Sequence, residues 1–194
     1  MADEVAITRL REETVTDLLA VAVEDADPED VMPPVAGPPG WTEARRSAFL
    51  GHHRARLSGL DGPHQELGYL VLDDGEPVGA ARLARQPHGR FEAGVWLGRS
   101  ARGRGIGSAL MPLLLAEAAA VGGDVVAATT AGNVAAIALL RRHGARLAED
   151  GAGAVHAELP RRVGKGDPDG EGQAARVAGS CRPPPAGRSS PLSP

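Results

Sequence analysis

The sequence of 194 residues contains a single cysteine, Cys181. A lone thiol closes no disulfide and builds no cysteine-based zinc site within the chain, which favours a reducing compartment, the cytoplasm. Long hydrophobic runs are also missing: no stretch of about 18 apolar residues occurs, so no spanning helix and no membrane partner are expected. The opening MADEVAITRLREE lacks the basic start and apolar run of a signal peptide. No second His, Asp or Cys stands at ligand spacing, so no metal is expected. A net basic face is lacking as well. The formal charge is −4, made up of −7 over residues 1–160 and +3 over 161–194. An acidic body argues against a nucleic-acid partner; it suits a cationic partner such as an amine, or serves solubility alone.

What is present suits one core. At 42% hydrophobic content the chain can bury a core of ordinary size, and two full domains would be cramped. Residues 161–194 are Gly, Pro, Ser and Arg with almost no large apolar side chain. They cannot offset their ordering entropy, so a disordered tail is expected after a single domain over 1–160.

Within the domain the apolar period changes repeatedly. VAITRL (5–10) alternates as a strand, and Val15, Leu18, Leu19 and Ala22 in the next segment fall at helical spacing. Residues 27–40, DPEDVMPPVAGPPG, read as a proline-rich loop, and a second helix is expected over 41–59, with Gly51 in its middle. QELGYLVLDD, GEPVGAARLARQ and GRFEAGVWLG have strand character and are separated by turn signals, which predicts an antiparallel meander ending at Leu97. GIGSALMPLLLAEAAAVG places Ile106, Ala109, Leu110, Leu113 and Leu114 on one helical face, with a bend expected near Ser108–Pro112 because Pro112 lacks a donor. A buried strand follows over 122–130. Asn133 can cap the helix VAAIALLRRHG, which Gly144 stops, and ARLAED and AVHAELP supply two closing strands around a GAG turn. The predicted fold is α/β (mixed α+β): a central mixed, mostly antiparallel twisted sheet of about seven strands flanked by four helices.

One segment stands out against the acidic body. RSARGRGIGS (99–108) packs three arginines and three glycines between a strand and a helix. Helix N-termini present unpaired N–H groups and partial positive charge, and glycines admit a phosphate to the backbone, so this is an anion site in form. It is not a Walker loop, because no lysine lies near, and it fails G-x-G-x-x-G because Ser108 follows Gly107 where a glycine would be needed. A bare flexible glycine turn is the alternative.

Arg102-Gly103-Arg104-Gly105-Ile106-Gly107 resembles R-x-x-G-x-G, the pyrophosphate loop of the GNAT superfamily of acetyl-CoA-dependent N-acetyltransferases. The resemblance continues into NVAAIALLRRHGA (133–145), where Asn133, Ala136 and Gly144 match N-x-x-A-x-x-x-Y-x-x-x-G-F in register. With the order of elements from Val5 to Leu159 it covers about four fifths of the chain. Two positions depart from the family's pattern: Leu140 replaces the tyrosine that often protonates the leaving thiolate, and Ala145 replaces a phenylalanine.

The resemblance implies acetyl-CoA as co-substrate, bound by the backbone around Val95 to Leu97 and by the amides of Arg102, Gly103, Arg104, Gly105, Ile106, Gly107 and Ser108. Asn133 either reaches the pantetheine or only caps its helix, and the side chains of Arg99 and Arg104 either meet phosphate or are solvated. Amine acetylation requires that an ammonium of pKa about 10.4 lose a proton, and Glu92 is the candidate base, with a solvated strand carboxylate as the alternative. His88, His52 and His53 read as surface histidines. A coenzyme A thiolate, with a pKa of about 8.5, could leave with water as its proton source, so the loss of the tyrosine need not be fatal. The implied activity is acetyl transfer to a primary amine, either a small molecule or a peptide N-terminus. FEAGVWLGRSARGRG is similar to both the ribosomal-protein and the small-molecule acetylating branches. Asp27, Glu29 and Asp30 could attract the amine or be ordinary loop acids. A catalytically weak CoA-binding regulatory module and another phosphate-loop nucleotide binder are the alternative functions, and a homodimer is compatible with either.

Overall fold

The computed structural model describes residues 4–159. The tail expected over 161–194, with Cys181, lies outside the described residues. Seven strands form one sheet: β1 (Val5–Arg9), β2 (Glu66–Asp73), β3 (Glu76–Gln86), β4 (Arg90–Leu97), β5 (Asp124–Thr130), β6 (Arg146–Glu149) and β7 (Ala154–Leu159). Their order is β1-β2-β3-β4-β5-β7-β6. Every pairing is antiparallel except β4 with β5. The mixed, mostly antiparallel sheet expected from the alternation is therefore present.

Five helices accompany it: α1 (Glu12–Asp25), α2 (Pro28–Val31), α3 (Glu43–Arg54), α4 (Ile106–Ala120) and α5 (Val134–Arg142). The fifth corrects the expectation of four. Residues 27–40 are not loop throughout, because Pro28 stands in the first helical turn, where its missing N–H has no intrahelical partner to lose. The single turn buries Val31 and ends ahead of Pro33 and Pro34. α3 stops at Arg54, short of the expected end at 59, and carries Gly51 within it. α4 runs from Ile106 to Ala120 with Pro112 inside it, on its exposed side.

Period-two alternation divides the sheet into two apolar faces. Leu67, Tyr69, Val71, Leu83 and Phe91 pack with Ile106, Leu110 and Leu114 of α4. On the opposite face Leu70 and Ala80 pack with Leu18 and Ala22 of α1 and Phe49 of α3. The helices thus cover the β1–β4 half from both sides and hold β4 in place. No helix among the described residues is long and apolar enough to cross a membrane.

Close approach at Gly79 fixes the β3–β4 pairing. A Cβ there would come within 2.3 Å of the Trp96 carbonyl oxygen and 2.9 Å of Leu97 Cα, both of them backbone. Gly79→Ala should therefore destabilise the fold by about 1–3 kcal/mol through overpacking. Chemical denaturation measures this, and an unchanged midpoint would contradict the packing described.

Candidate functional site

The parallel pairing of β4 with β5 is brief. It joins Arg90, Phe91 and Glu92 to Asp124, Val125 and Val126 and goes no further, although β4 runs on to Leu97 and β5 to Thr130. The Gly98 N–H donates to the Val78 carbonyl at 2.9 Å, which fixes the alternation along β4. Its even-numbered residues bond to β3, so the peptide groups of Ala93, Val95 and Leu97 face the gap. A cavity of about 240 Å³ occupies this gap, bordered by Val95, Thr129, Asn133, Leu139 and Leu140 among others. The Leu97 carbonyl accepts a hydrogen bond from Arg102 Nε at 3.0 Å, which holds the following loop against the strand end.

That loop is RSARGRGIGS. Gly103 (φ +77°) and Gly105 (φ +89°) adopt left-handed backbone that other residues enter at a cost, and Gly105 caps α4. The N–H groups of Ser108 and Ala109 both donate to the Gly105 carbonyl. Those of Gly103, Gly105, Ile106 and Gly107 have no hydrogen-bond partner among the described residues. Four unpartnered donors in the glycine turn and the first turn of α4 suit an anion.

The arginine side chains of this segment are engaged elsewhere. Arg104 Nη2 lies 2.7 Å from the carboxylate of Asp73, whose side chain is only 4% exposed, and Arg99 Nη2 lies 2.5 Å from Asp27. Asp27 reinforces the Arg99 proton affinity above the ordinary arginine value. Asp25 accepts from both the N–H and the hydroxyl of Ser100, at 2.9 and 2.6 Å. These two bonds, with Arg99 nearby, hold its carboxyl below the usual range. Of the loop acids expected to face an amine, Asp27 is thus paired, and Glu29 lies 3.7 Å from Arg45. Neither Arg99 nor Arg104 is merely solvated.

A second cavity, of about 230 Å³, opens on the other side of β4, beneath α2 and α3. Gly94 and Val95 border both cavities, so this segment of β4 is their common wall. Arg82 lies along the floor. Both of its cross-strand neighbours, Gly68 and Gly94, lack side chains, and a Cβ on Gly94 would come within 2.7 Å of Arg82 Nε. Its guanidinium reaches Glu66 at 3.4 Å and Glu92 at 2.7 Å, and Arg56 approaches Glu66 at 3.5 Å from α3's end.

Glu92 is the last paired residue before β4 and β5 part. Its carboxylate accepts from Arg82 and, at 3.5 Å, from Gln86, and it borders a third concavity shared with Val126 and His156. Asn133 accepts from the Ala136 N–H at 3.1 Å, as a cap should, and also borders the gap. Leu140 is 4% exposed and lines the same cavity. The chain's one tyrosine, Tyr69, is buried in the core and donates to Glu117 at 2.8 Å, so no tyrosine takes over at the gap. Burial first, then that carboxylate, push its phenol up to about 12. Among the described residues no group of three or more His, Cys, Asp or Glu could hold a metal ion.

His52 and His53 correct the surface reading. Both are part-buried, line the second cavity, and belong to a ring cluster in which His53 stands 4.5 Å from Phe49. Burial, followed by nearby positive groups, lowers each from 6.5 to about 4, so both are neutral at neutral pH. Sequence reasoning also missed Arg82 and Glu66. The available signal was alternation: both occupy inward positions of strands, in phase with Ala80 and Leu70, where an ionised side chain needs a partner.

These histidines carry a pH signature. Between about pH 4 and 6.5 the unfolded chain binds protons that folded His52 and His53 refuse, so stability falls as pH drops through that window and is unaffected by them above it. Thermal melts from neutral pH down to about 4.5 should show a declining Tm, and His53→Phe, packed beside Phe49, should flatten the decline. An equally steep decline in that variant would contradict the burial described.

Residues 36–145 match the Acetyltransferase (GNAT) family. No curated protein matches the chain. Among solved structures, the GNAT domain of S. lividans PAT superposes with a TM-score of 0.61 at 18% identity, covering 82% of this chain and 96% of that one. Mycobacterium smegmatis RimJ, in complex with CoA-disulfide, gives 0.59 at 20% identity over 80% of each chain. The yncA protein of Salmonella typhimurium, solved with its cofactor acetyl-CoA, gives 0.58 at 17% identity, covering 85% of this chain and 98% of that one. At such identities the likeness is one of fold, and it agrees with the family match over more than half of the sequence: the chain belongs to the GNAT acetyltransferase family.

Proposed function

We propose that the protein transfers the acetyl group of acetyl-CoA to a primary amine by direct attack, the amine being a small molecule or a peptide N-terminus. The observation that carries this reading is the gap between β4 and β5, with unpaired strand edge on one side and four unpartnered N–H groups at its end. In it the amides of Gly103, Gly105, Ile106 and Gly107 hold the pyrophosphate, and the β4 edge at Val95 and Leu97 holds the pantetheine arm. Asn133 keeps its capping bond and offers its remaining polar atoms to that arm. The side chains of Arg99 and Arg104 tie the loop down, and because the N–H groups of Arg102 and Ser108 already donate to the Arg99 and Gly105 carbonyls, binding falls to the four unpartnered amides.

The chemistry then has three parts. An ammonium with a pKa of about 10.4 must lose a proton before its nitrogen can attack, and Glu92, directly or through water, accepts it. The nitrogen lone pair forms a bond to the thioester carbonyl carbon, and the Val95 N–H steadies the oxygen that becomes negative. As the carbonyl re-forms, the carbon–sulfur bond breaks and the thiolate departs. With Leu140 in the tyrosine's place, the proton that the acylated nitrogen must still shed passes through water to this thiolate, of pKa about 8.5, leaving a neutral amide and free thiol. The same Leu140 supports a second reading, a CoA-binding regulatory module with weak catalysis.

Acetyl-CoA should raise the melting temperature, since binding at about 100 times Kd adds ~2.7 kcal/mol to the folded state. Gly105→Glu, which sets bulk and negative charge against the phosphates, should abolish the shift; the absence of a shift in the unmutated protein would overturn the reading. Glu92→Gln should lower turnover at neutral pH by about 10²-fold or more and recover part of it as pH rises and free amine accumulates. Turnover that does not change would remove Glu92 from the mechanism.

A further inference from the structure

The second cavity bears on which amine reaches the β4 wall. We propose, resting on the acetyl-transfer reading above, that it is the acceptor site, and that the acceptor is a small primary amine with an apolar body and no carboxylate of its own. Position supports this first: Gly94 and Val95 border this cavity and the β4–β5 gap alike, so an amine seated here approaches the thioester across one strand. Size supports it next. About 230 Å³ is less than the ~300 Å³ at which pockets for drug-sized ligands begin. The walls contributed by Leu10, Val31, Ala80 and Trp96 are apolar and match a hydrocarbon body.

Charge selects further. The floor carries Glu66 and Arg82; Arg56 pairs with Glu66, and Glu92, which borders the neighbouring concavity, pairs with Arg82, so two carboxylates already flank the Arg82 guanidinium. His52 and His53 contribute no positive charge at neutral pH. At the mouth Asp30 is exposed and has no ion pair among the described residues, and the Arg99 charge that it feels is already shared by Asp27 and Asp25. The field over the entrance is negative, which draws an ammonium in. An amino acid would bring a carboxylate into the same field with no uncommitted cation to receive it, at a desolvation cost its decarboxylated counterpart avoids.

The test uses matched pairs on the unmutated full chain: isopentylamine against leucine, and phenethylamine against phenylalanine, with free-thiol release read at saturating acetyl-CoA. The amine of each pair should exceed its amino acid in kcat/KM by at least about tenfold. Trp96→Ala, which removes the largest apolar side chain of the wall, should raise KM for isopentylamine by about tenfold while keeping the acetyl-CoA melting shift. Preference for the amino acids, turnover confined to peptides, or silence across the panel with acetyl-CoA still bound would overturn the proposal and leave acetyl-CoA binding intact. An unchanged KM in Trp96→Ala would overturn the assignment of the cavity. If acetyl-CoA neither shifts the melt nor releases thiol, the underlying reading fails and the proposal fails with it.

Discussion

The site depends on one break in a hydrogen-bonded ladder. β4 and β5 pair for three residues and then part, β4 continuing beside β3 and β5 beside β7. An unpaired strand edge inside a sheet ordinarily costs the free energy of its orphaned peptide groups, so it persists where a ligand or water satisfies them. Here the gap is lined by Met111 of α4 and by Leu139 and Leu140 of α5, which keep its walls apolar while its strand edge stays polar. An acyl carrier with an amide-bearing arm and a charged head has this pattern of demands along its length. The two helices flanking the gap also contribute its ends, since α4 starts at the unpartnered N–H groups and Asn133 caps α5 beside the cavity.

Ion pairs and a hydrogen-bonded carboxylate account for how the loop and floor hold their shape. Arg99 with Asp27, Arg104 with buried Asp73, and Asp25 with Ser100 join the glycine-rich turn to the sheet and to the end of α1. An exposed pair such as Arg99 with Asp27 adds little stability by itself. The effect of these contacts is positional: they constrain a segment that two left-handed glycines would otherwise leave free, so its amides are arranged before any anion arrives. Arg82 does the same on the other side of β4. Flanked by glycines on both neighbouring strands, it lies flat between Glu66 and Glu92 and joins the floor of one cavity to the hinge of the gap.

Elements with strong periodic or capping signals were legible in the sequence. The meander ending at Leu97, the Asn133 cap, the stop at Gly144 and the strand–loop–helix setting of RSARGRGIGS all follow from local rules, and local rules govern them in the fold. The one-turn α2 was hidden because proline usually ends helices, whereas at a first turn it is harmless. The arginine partners were hidden for a different reason. Asp73 and Arg104, or Asp27 and Arg99, are distant in sequence, and only the topology brings them together. His52 and His53 read as surface residues because a helix face shows its covering only when the sheet beneath it is known. The end of pairing after Glu92 had no local signal at all, since both strands keep their strand character beyond it.

The central claim is that backbone amides of the β4 edge and the glycine loop receive coenzyme A. Titrating CoA into isotopically labelled protein, with amide resonances followed by NMR, tests it most directly. Val95, Gly103, Gly105, Ile106 and Gly107 should show the largest shifts and slower solvent exchange at saturation. Perturbations confined to other surfaces, with these five amides unmoved, would contradict the account.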